Sequence, residues 1–327
     1  IQLVAALPVP PRFFPHDAVR RNNGRSAGGS PPQPVRTFSL MTSSAIAVIP
    51  ARLSSTRLPR KMLLAETGRP LVEHTWRNAA SAGSTLATLV ATDSEEIAAA
   101  VRGFGGDVVL TSPEAASGTA RIVEALPRLP AAEIIVNVQG DEPELPAAAI
   151  DQAIDLLARC PEAGVATLVA PLRQREDLDD PAAVKAVLTP WRDVVPAATS
   201  PPAAAATGGT PRQEATPTVL SVPTPGCWRA IYFSRAPVPC ARDWHDSLLA
   251  SEPPLYWQHV GLYAYRRWVL EAWDTLPESR LAAHESLEQL RLVEAGIPIV
   301  AGVIPHATRG IDTPKDYALF VERCRST

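Results

Sequence analysis

The sequence predicts an α/β protein with an open, mostly parallel, Rossmann-like sheet and helices on both faces. Short apolar segments of strand length alternate with amphipathic segments of helix length from residue 45 to residue 170, which is typical of βαβ units. The strand candidates are almost continuously apolar, as expected for parallel strands that are covered on both faces. The 327 residues are also enough for a large buried core.

The individual elements follow from this alternation. Strands are predicted at 45–50, 85–91, 107–110, 133–138 and 164–170, with helices between them at 71–82, 94–104, 119–126 and 147–158. After residue 226 the sequence predicts strands at 229–233, 259–265 and 297–300, and helices at 266–275 and 284–295. Because open α/β sheets bind ligands at the carboxyl ends of their strands, functional residues are expected in the loops that follow strands.

Two segments do not fit the alternation. Residues 1–44 are rich in Arg, Gly, Ser and Pro and lack apolar periodicity, so we predict a disordered extension before a folded domain over 45–327. This extension could be an organelle transit peptide, but a start near Met41 is the interpretation we favour. Residues 192–226 are rich in Pro and Ala, and we predict a flexible insertion within the domain.

Composition and charge exclude several functional classes. The net charge of −3 provides no basic field for nucleic acid, and no apolar run approaches the ~20 residues that a membrane span requires. The four cysteines are scattered, with no CxxC pair, so neither a zinc site nor a disulfide framework is expected. A reducing, cytoplasmic location fits this cysteine pattern best.

The loop after the first predicted strand is strongly basic. It reads PARLSSTRLPRK and places Arg52, Arg57 and Lys61 beside several hydroxyl groups. Such a loop at the carboxyl end of a strand can hold a polyphosphate, although it matches neither the GxGxxG pattern nor the P-loop. The alternative is a solvated basic loop, and the position after a strand favours phosphate contact.

Carboxylates follow two other apolar segments. The segment VNVQGDEP leads from a buried strand to Gln139, Asp141 and Glu142, and GIDTP places Asp312 after a later apolar stretch. An aspartate in such a loop can hold a hard cation that bridges phosphate oxygens, and the Gln139 amide can bind a base, a sugar or the backbone. A plain Gly-Asp turn is an equally good interpretation of the first segment. The sequence does not show whether Asp141 and Asp312 meet.

Nine segments together resemble one enzyme family. In order they read IPARLSSTRLPRK, ATDSEEIAAAV, SGTAR, IIVNVQGDEP, AVKAVL, YFSRAPVP, HVGLYAY, SLEQLR and GIDTP. From about residue 45 to 322, apart from the Pro-rich insertion, the chain resembles the 3-deoxy-manno-octulosonate cytidylyltransferases, or CMP-Kdo synthetases. YFSRAPVP and HVGLYAY favour this family over the related CMP-sialic acid synthetases. The resemblance implies a fold of the nucleotide-diphospho-sugar transferase type.

The resemblance also implies a reaction. The enzyme would transfer CMP from CTP to the anomeric hydroxyl of 3-deoxy-D-manno-octulosonate (Kdo) and release pyrophosphate, for lipopolysaccharide biosynthesis. By position, Arg52 and Lys61 would hold the CTP phosphates and would act with Asp141 and Asp312 in catalysis. The two aspartates would be the ligands of Mg²⁺, the implied cofactor. The remaining nucleotide-binding residues would be those of SGTAR, near cytosine and ribose: Ser117, Gly118, Thr119 and Arg121.

Further positions match the sugar side of the family. Arg57 would add positive charge near the entering sugar, and the other candidates are Gln139, Arg235, Arg242, His259, Tyr263, Glu288 and Gln289. Arginine can bind the Kdo carboxylate with two hydrogen bonds, and Tyr, Gln and Glu can bind hydroxyl groups. Ordinary structural roles are the alternatives. His259 could be a hydrogen-bonded strand residue, Tyr263 a core aromatic, and Glu288 part of an exposed helix pair.

The family implies a homodimer formed partly by HVGLYAY, with CTP and Kdo as small-molecule partners and no nucleic acid or membrane partner. Two other functions stay open. One is a cytidylyltransferase for another acidic sugar, such as a sialic acid or an 8-amino Kdo analogue. The other is a non-catalytic descendant that binds CTP, and the intact Arg52, Lys61, Asp141 and Asp312 argue against it.

Overall fold

The computed structural model describes residues 44–192 and 223–326. Residues 1–43 of the predicted extension and 193–222 of the predicted insertion lie outside the described residues. The described strands are β1 Ala45–Ala51, β2 Thr88–Thr92, β3 Asp107–Leu110, β4 Ile134–Asn137, β5 Val165–Pro171, β6 Lys185–Arg192, β7 Pro223–Ser234, β8 Trp257–Arg266 and β9 Ile299–Val303. The described α-helices are α1 Leu71–Ala80, α2 Glu95–Gly103, α3 Gly118–Ala125, α4 Ala147–Arg159, α5 Arg175–Asp179, α6 Arg267–Glu271, α7 Arg280–Glu285, α8 Leu290–Glu294 and α9 Pro314–Ser326.

These strands form one sheet in the order β3-β2-β1-β4-β8-β5-β9-β7-β6. The pairs β1–β2, β1–β4, β2–β3 and β5–β9 are parallel. In contrast, β8 runs antiparallel to β4 and β5, and β7 runs antiparallel to β6 and β9. All described strands except β7 and β8 therefore share one direction, which confirms the mostly parallel sheet.

The second half of the sheet curls back on itself. β8 pairs with β6 as well as with β5, with Lys185 opposite Gln258 and Ala186 opposite Trp257. The pairings β8-β5-β9-β7-β6-β8 therefore form a closed ring of strands. His259 N also donates to Val184 O at 2.8 Å, so the loop that leads into β6 lies beside the beginning of β8.

Helices cover both faces of the sheet, as predicted. Side chains alternate along β1, so that Ala47 and Ile49 pack in one apolar cluster and Ile46 and Val48 in another. The first cluster includes residues of α1, α4 and α9, and the second includes residues of α3, α6 and α8. Full burial of one such isoleucine stabilises the fold by about 1.5–3 kcal/mol. No helix among the described residues is long and apolar enough to cross a membrane.

Most of the predicted elements are confirmed, and several differ from the prediction. The single helix predicted over 284–295 is wrong, because Ser286 adopts a left-handed φ of 51° and separates α7 from α8. The ends of the predicted insertion belong to strands, Arg192 to β6 and residues 223–226 to β7. The sequence pattern does not predict β6, which contains Pro190 at a shift of its register with β7.

The sequence analysis also missed α9, although the chain carries a clear signal for it. Thr313 precedes the helix and Asp316 lies three residues later, which is a capping box with Pro314 at the first helical position. Thr313 N donates to Asp316 Oδ2 at 2.8 Å, and Asp316 N donates to Thr313 Oγ1 at 3.2 Å. These bonds begin α9 directly after Asp312.

Gly302 of β9 provides a test of the packing between the sheet and α4. A Cβ atom at this position would lie 2.8 Å from Leu156 Cδ1 and 2.9 Å from Gln152 Nε2. We expect Gly302→Ala to lower the free energy of unfolding by about 1–3 kcal/mol, as overpacked cores do. Gly103→Ala, which meets nothing within 4 Å, is the control and should retain wild-type stability in urea denaturation. Equal stability of both variants would contradict this packing.

Candidate active site

A cleft opens at the carboxyl ends of β1 and β4, where sheets of this type bind ligands. Its three parts measure about 380, 240 and 520 Å³. The basic part is lined by residues that include Arg52, Arg57, Lys61, Ser117, Gly118, Arg121, Asp141 and Asp312. The aromatic part includes Thr119, Asn137, His259, Tyr263, Tyr265, Glu288 and Gln289, and the acidic part includes Glu142, Asp177, Asp180, Thr308 and Asp316. Gln139 lines all three parts and makes them continuous.

A lysine between two aspartates forms the centre of the basic part. Lys61 Nζ lies 2.6 Å from Asp141 Oδ2 and 3.0 Å from Asp312 Oδ1, and it donates to Ile311 O at 3.2 Å. Burial alone would lower the pKa of Lys61, but the charges and hydrogen bonds of both aspartates outweigh burial and raise it. The structure therefore brings together the two carboxylates that the sequence could not connect. The positively charged ammonium group of Lys61 lies between them.

Close backbone contacts hold Asp141 in place. Gly140 precedes it, and a Cβ atom there would lie 2.9 Å from Met62 Cε and 3.0 Å from Pro50 O. Glycine therefore allows the loop after β4 to approach the backbone at the end of β1 closely. Thr75 Oγ1 of α1 donates to Gly140 O at 2.8 Å in a buried position, which fixes this loop further.

The Asp312 segment is attached to the Asp141 segment through the backbone. Ile311 N donates to Asp141 O at 2.8 Å, so both aspartates belong to one hydrogen-bonded unit. The capping box of α9 then fixes the chain on the other side, because Asp316 Oδ2 also accepts from Asp312 N at 3.3 Å. Hydrogen bonds from Thr313 hold the pKa of Asp316 below its usual value, although partial burial opposes them.

Two arginines complete the basic part. Arg57 Nη2 lies 2.9 Å from Asp312 Oδ2, with 65% of its side chain exposed. Arg52 is exposed and lines the same part of the cleft. Among the described residues Arg52 has no ion-pair partner, so its charge is available to an anionic ligand.

The SGTAR residues lie at the start of α3. Ser117 caps the helix by accepting from Ala120 N at 3.0 Å, and a Cβ at Gly118 would lie 3.1 Å from Pro50 Cγ. Arg121 lines the cleft but is an internal ion pair, since its Nη2 lies 3.1 Å from Asp93 Oδ2 and its Nη1 lies 2.6 Å from Thr111 Oγ1. Its guanidinium therefore stabilises the wall of the basic part.

Aromatic rings of β8 form the floor of the aromatic part. The ring centroids of His259 and Tyr263 lie 5.2 Å apart, and those of Tyr263 and Tyr265 lie 5.7 Å apart. Burial raises the pKa of both tyrosines well above the usual value. Both therefore remain neutral hydroxyl groups, which suits contact with a sugar or a base.

His259 is neutral and has a defined tautomer. Its Nε2 lies 3.0 Å from Thr167 Oγ1, and that hydroxyl lies 2.9 Å from Leu262 O. Because the hydroxyl has a single proton to donate to a carbonyl, it accepts from Nε2–H of His259, and this leaves Nδ1 as a hydrogen-bond acceptor. Burial lowers the pKa of His259 to about 3.

The break between α7 and α8 places Glu288 and Gln289 in the cleft. Glu288 Oε1 accepts from Ser117 Oγ at 2.5 Å, which connects the aromatic part to the cap of α3. Gln289 is buried, with 7% of its surface exposed. The ordinary alternative for Glu288 was an exposed helix pair with Arg291, but Arg291 instead stacks on Trp273 and donates to Pro277 O.

Glu142 is a cleft residue to which the sequence analysis assigns no role. Its Oε2 accepts from Thr308 Oγ1 at 2.9 Å. Burial and the charge of Asp141 raise the pKa of Glu142 to about 7, against the effect of the Thr308 hydroxyl. The only sequence signal is its position directly after Asp141.

Two predicted sugar-binding arginines are placed differently from the rest. Arg242 is exposed, and neither it nor Arg235 is among the described residues that line the three parts of the cleft. The Arg235 guanidinium donates to the carbonyl oxygens of Glu285, Pro181 and Ser286. The structure thus brings together all the other predicted site residues but not these two.

Comparisons with known proteins agree with this geometry. The family model described as cytidylyltransferase matches residues 46–299, which is most of the chain. The chain belongs to the cytidylyltransferase family. It is therefore a nucleotidyltransferase.

Individual relatives of this cytidylyltransferase are similar over nearly their whole lengths. It is 41% identical to the 3-deoxy-manno-octulosonate cytidylyltransferase of Rhodopirellula baltica, over 85% of this chain and 98% of that protein. It is 36% identical to the 8-amino-3,8-dideoxy-manno-octulosonate cytidylyltransferase of Shewanella sediminis, over 84% and 96%. A solved structure of CMP:2-keto-3-deoxy-manno-octonic acid synthetase complexed with CTP is 33% identical, with a TM-score of 0.69 over 87% of this chain and 99% of that one.

The ion pair of Arg121 in this cytidylyltransferase can be tested through Asp93. The two side chains are 4% and 12% exposed, so Asp93→Ala leaves a buried guanidinium without its partner. We expect the free energy of unfolding to fall by about 3–5 kcal/mol. Asp155→Ala removes an exposed pair with Arg159 and should cost less than about 1 kcal/mol. If both variants lost similar free energies of unfolding in urea denaturation, the Arg121–Asp93 pair would contribute no more than an exposed pair, and this would contradict the prediction.

His259 predicts an acid-dependent loss of stability. The pKa of His259 is about 3 in the folded protein and about 6.5 in an unfolded chain. Between these values the unfolded state binds a proton that the folded state does not, so the free energy of unfolding decreases as pH falls from about 6.5 towards 3. His259→Gln should reduce this slope in urea denaturation at several pH values. His245→Gln removes an exposed histidine and serves as control, and an unchanged slope in His259→Gln would contradict the prediction.

Proposed function

We propose that this protein transfers CMP from CTP to the anomeric hydroxyl of Kdo and releases pyrophosphate. The observation that carries the proposal is the convergence of Lys61, Asp141 and Asp312 in a basic cleft that continues into an aromatic, hydrogen-bonding part. In the reaction, the anomeric oxygen forms a bond with the α-phosphorus. The bond from that phosphorus to the bridging oxygen breaks, pyrophosphate leaves, and the hydroxyl proton is released.

The basic part would hold the triphosphate. Arg52 has no ion-pair partner among the described residues. The ammonium group of Lys61 could exchange its hydrogen bonds to the aspartates for hydrogen bonds to phosphate oxygens. Arg57 is largely exposed beside Asp312 and would add charge where the sugar enters. Since phosphoryl-type transition states need mainly positioning and charge stabilisation, such a cluster is sufficient for most of the protein's task.

The start of α3 would hold the nucleoside. Ser117, Gly118 and Thr119 are small and line the cleft where the basic and aromatic parts meet. Backbone N–H groups at a helix N-terminus favour negative charge, and small side chains admit a ring closely. Arg121 would support this wall through its pair with Asp93.

The donor set of the basic part fits Mg²⁺. Among the described residues no group of three or more His, Cys, Asp or Glu side chains could hold a metal ion, but Asp141 and Asp312 approach one common point at Lys61 Nζ. Mg²⁺ is usually held by one or two carboxylates, with water and phosphate oxygens as the other ligands. We propose Asp141 and Asp312 as its protein ligands; when bound, the ion would offset negative charge on the phosphates.

The aromatic part would bind the sugar. His259 offers Nδ1 as an acceptor, Tyr263 a neutral hydroxyl group, and Gln139 and Gln289 their amides, all of which suit a polyhydroxy acid. A second candidate substrate is the 8-amino analogue of Kdo, because the similar Shewanella sediminis protein is named for it. The homodimer stays a prediction from the family resemblance, and the cytoplasmic location stays a prediction from the cysteine pattern.

The test is pyrophosphate release by the full chain with CTP and Mg²⁺. We expect release with Kdo and none without a sugar. Asp312→Asn should lower kcat by about 100-fold or more, as loss of one charge-stabilising group in an active site does. Asp155→Asn, on the exposed face of α4, is the matched control and should keep wild-type kcat.

Three further assays separate the alternatives. Preference for a sialic acid or for the 8-amino analogue over Kdo would replace the proposed sugar. CTP binding without pyrophosphate release for every sugar would indicate the non-catalytic alternative. Removal of divalent metal with a chelator should abolish release, and added Mg²⁺ should restore it; full activity in the chelator would contradict the proposed cofactor.

A further inference from the structure

The turn formed by residues 286–289 places two cleft residues and has an unusual backbone. Ser286 ends α7 with φ 51° and ψ 46°, and its N–H donates to Ala282 O. Leu287 N also donates to Ala282 O, at 3.2 Å. Helices often end in this left-handed conformation, but the residue there is usually glycine, because a side chain disfavours a positive φ. Here the position is occupied by serine.

This turn decides the composition of the aromatic part. Leu287, Glu288 and Gln289 all line it. If α7 continued through Ser286, as the sequence pattern predicts, these three residues would follow a different path. The hydrogen bond from Ser117 to Glu288 depends on the same turn. An interaction that stabilises the left-handed Ser286 therefore shapes the proposed sugar site.

Arg235 provides that interaction from the end of β7. Its Nε donates to Glu285 O at 2.6 Å and its Nη2 donates to Ser286 O at 3.2 Å. The edge of the guanidinium formed by Nε and Nη2 thus spans the carbonyl groups of Glu285 and Ser286. An arginine can bind a carboxylate through this edge, but here the edge is occupied by the turn. A third nitrogen of the guanidinium, Nη1, donates to Pro181 O at 2.9 Å.

Further hydrogen bonds fix Arg235 itself. Its backbone N–H donates to Glu285 Oε2 at 2.9 Å, and Ser234 Oγ donates to Glu285 Oε1 at 2.7 Å. On the other side, the fully buried Lys185 donates to Arg235 O at 3.1 Å. The backbone of Arg235 is therefore held beside the turn by Lys185 of β6 and Glu285 of α7.

We propose that Arg235 is a positioning residue, which stabilises the left-handed turn 286–289 and thereby places Glu288 and Gln289 for the sugar without contacting it. This inference rests on the proposed function for its kinetic consequences. Its structural consequence, the order of the turn, is independent of any substrate.

The experiment compares Arg235→Ala with the double variant Arg235→Ala, Ser286→Gly. Loss of the guanidinium removes hydrogen bonds to the turn, so the KM for Kdo should rise by about tenfold while the KM for CTP stays near the wild-type value. Glycine adopts a positive φ without strain and should bring the KM for Kdo most of the way back. Ser286→Gly alone, the matched control, should resemble the wild type.

A direct contact between Arg235 and the sugar predicts a different result. In that case Ser286→Gly would restore nothing, because glycine cannot replace a guanidinium that binds the carboxylate, and our proposal would be overturned. If Arg235→Ala does not fold, Arg235→Lys allows the same comparison. Its amine keeps the charge but cannot span the carbonyl groups of residues 285 and 286.

Amide hydrogen exchange distinguishes failure of this proposal from failure of the proposed function. Without substrates, the amides of residues 287–290 should exchange faster in Arg235→Ala and return towards wild-type rates in the double variant. Unchanged exchange in Arg235→Ala would overturn the positioning role. If the wild type does not use Kdo at all, the proposed function fails while the exchange rates still decide the role of Arg235.

Discussion

The ion cluster of Lys61, Asp141 and Asp312 is the constraint on which the rest of the cleft depends. Two carboxylates from distant parts of the chain repel each other unless a cation lies between them, and Lys61 Nζ lies within 3.0 Å of both. Because the Lys61 ammonium group contacts both carboxylates, the loops after β1, β4 and β9, which carry these three residues, must meet at one point. The cluster is also what a nucleotide's phosphates and a metal ion would rearrange.

The backbone around this cluster allows the loops after β1, β4 and β9 to lie close together. Gly140 permits a close approach to Pro50 O that a side chain would crowd, and the bond from Ile311 N to Asp141 O joins the two acidic loops. The capping box of Thr313 and Asp316 begins α9 where the Asp312 loop must end. The ion cluster brings the loops together, and the hydrogen-bonded backbone fixes them in one arrangement.

The proposed sugar site differs from the basic part in its charge. Its residues come from β8, from the turn after α7 and, with Gln139, from the loop after β4, and most of them are neutral groups. β8 is one of the two reversed strands, and its pairing with both β5 and β6 places His259 beside the loop before β6. Neutral donors and acceptors in a partly buried cleft can discriminate between hydroxyl groups, because an unpaired polar group there costs free energy.

By itself, the sequence determined the alternating elements, the mostly parallel sheet and the family, because apolar periodicity and ordered motifs are local properties of the chain. It also carried the capping box of α9. Only the tertiary structure decided that Asp141 and Asp312 share Lys61, that Arg121 is paired internally with Asp93, and that Arg235 serves the turn at Ser286. These facts depend on contacts between residues far apart in the chain, whose partners no local pattern specifies. Ser286, at a left-handed helix end, illustrates the reason: its carbonyl group accepts from an arginine that lies 51 residues earlier in the chain, directly after β7.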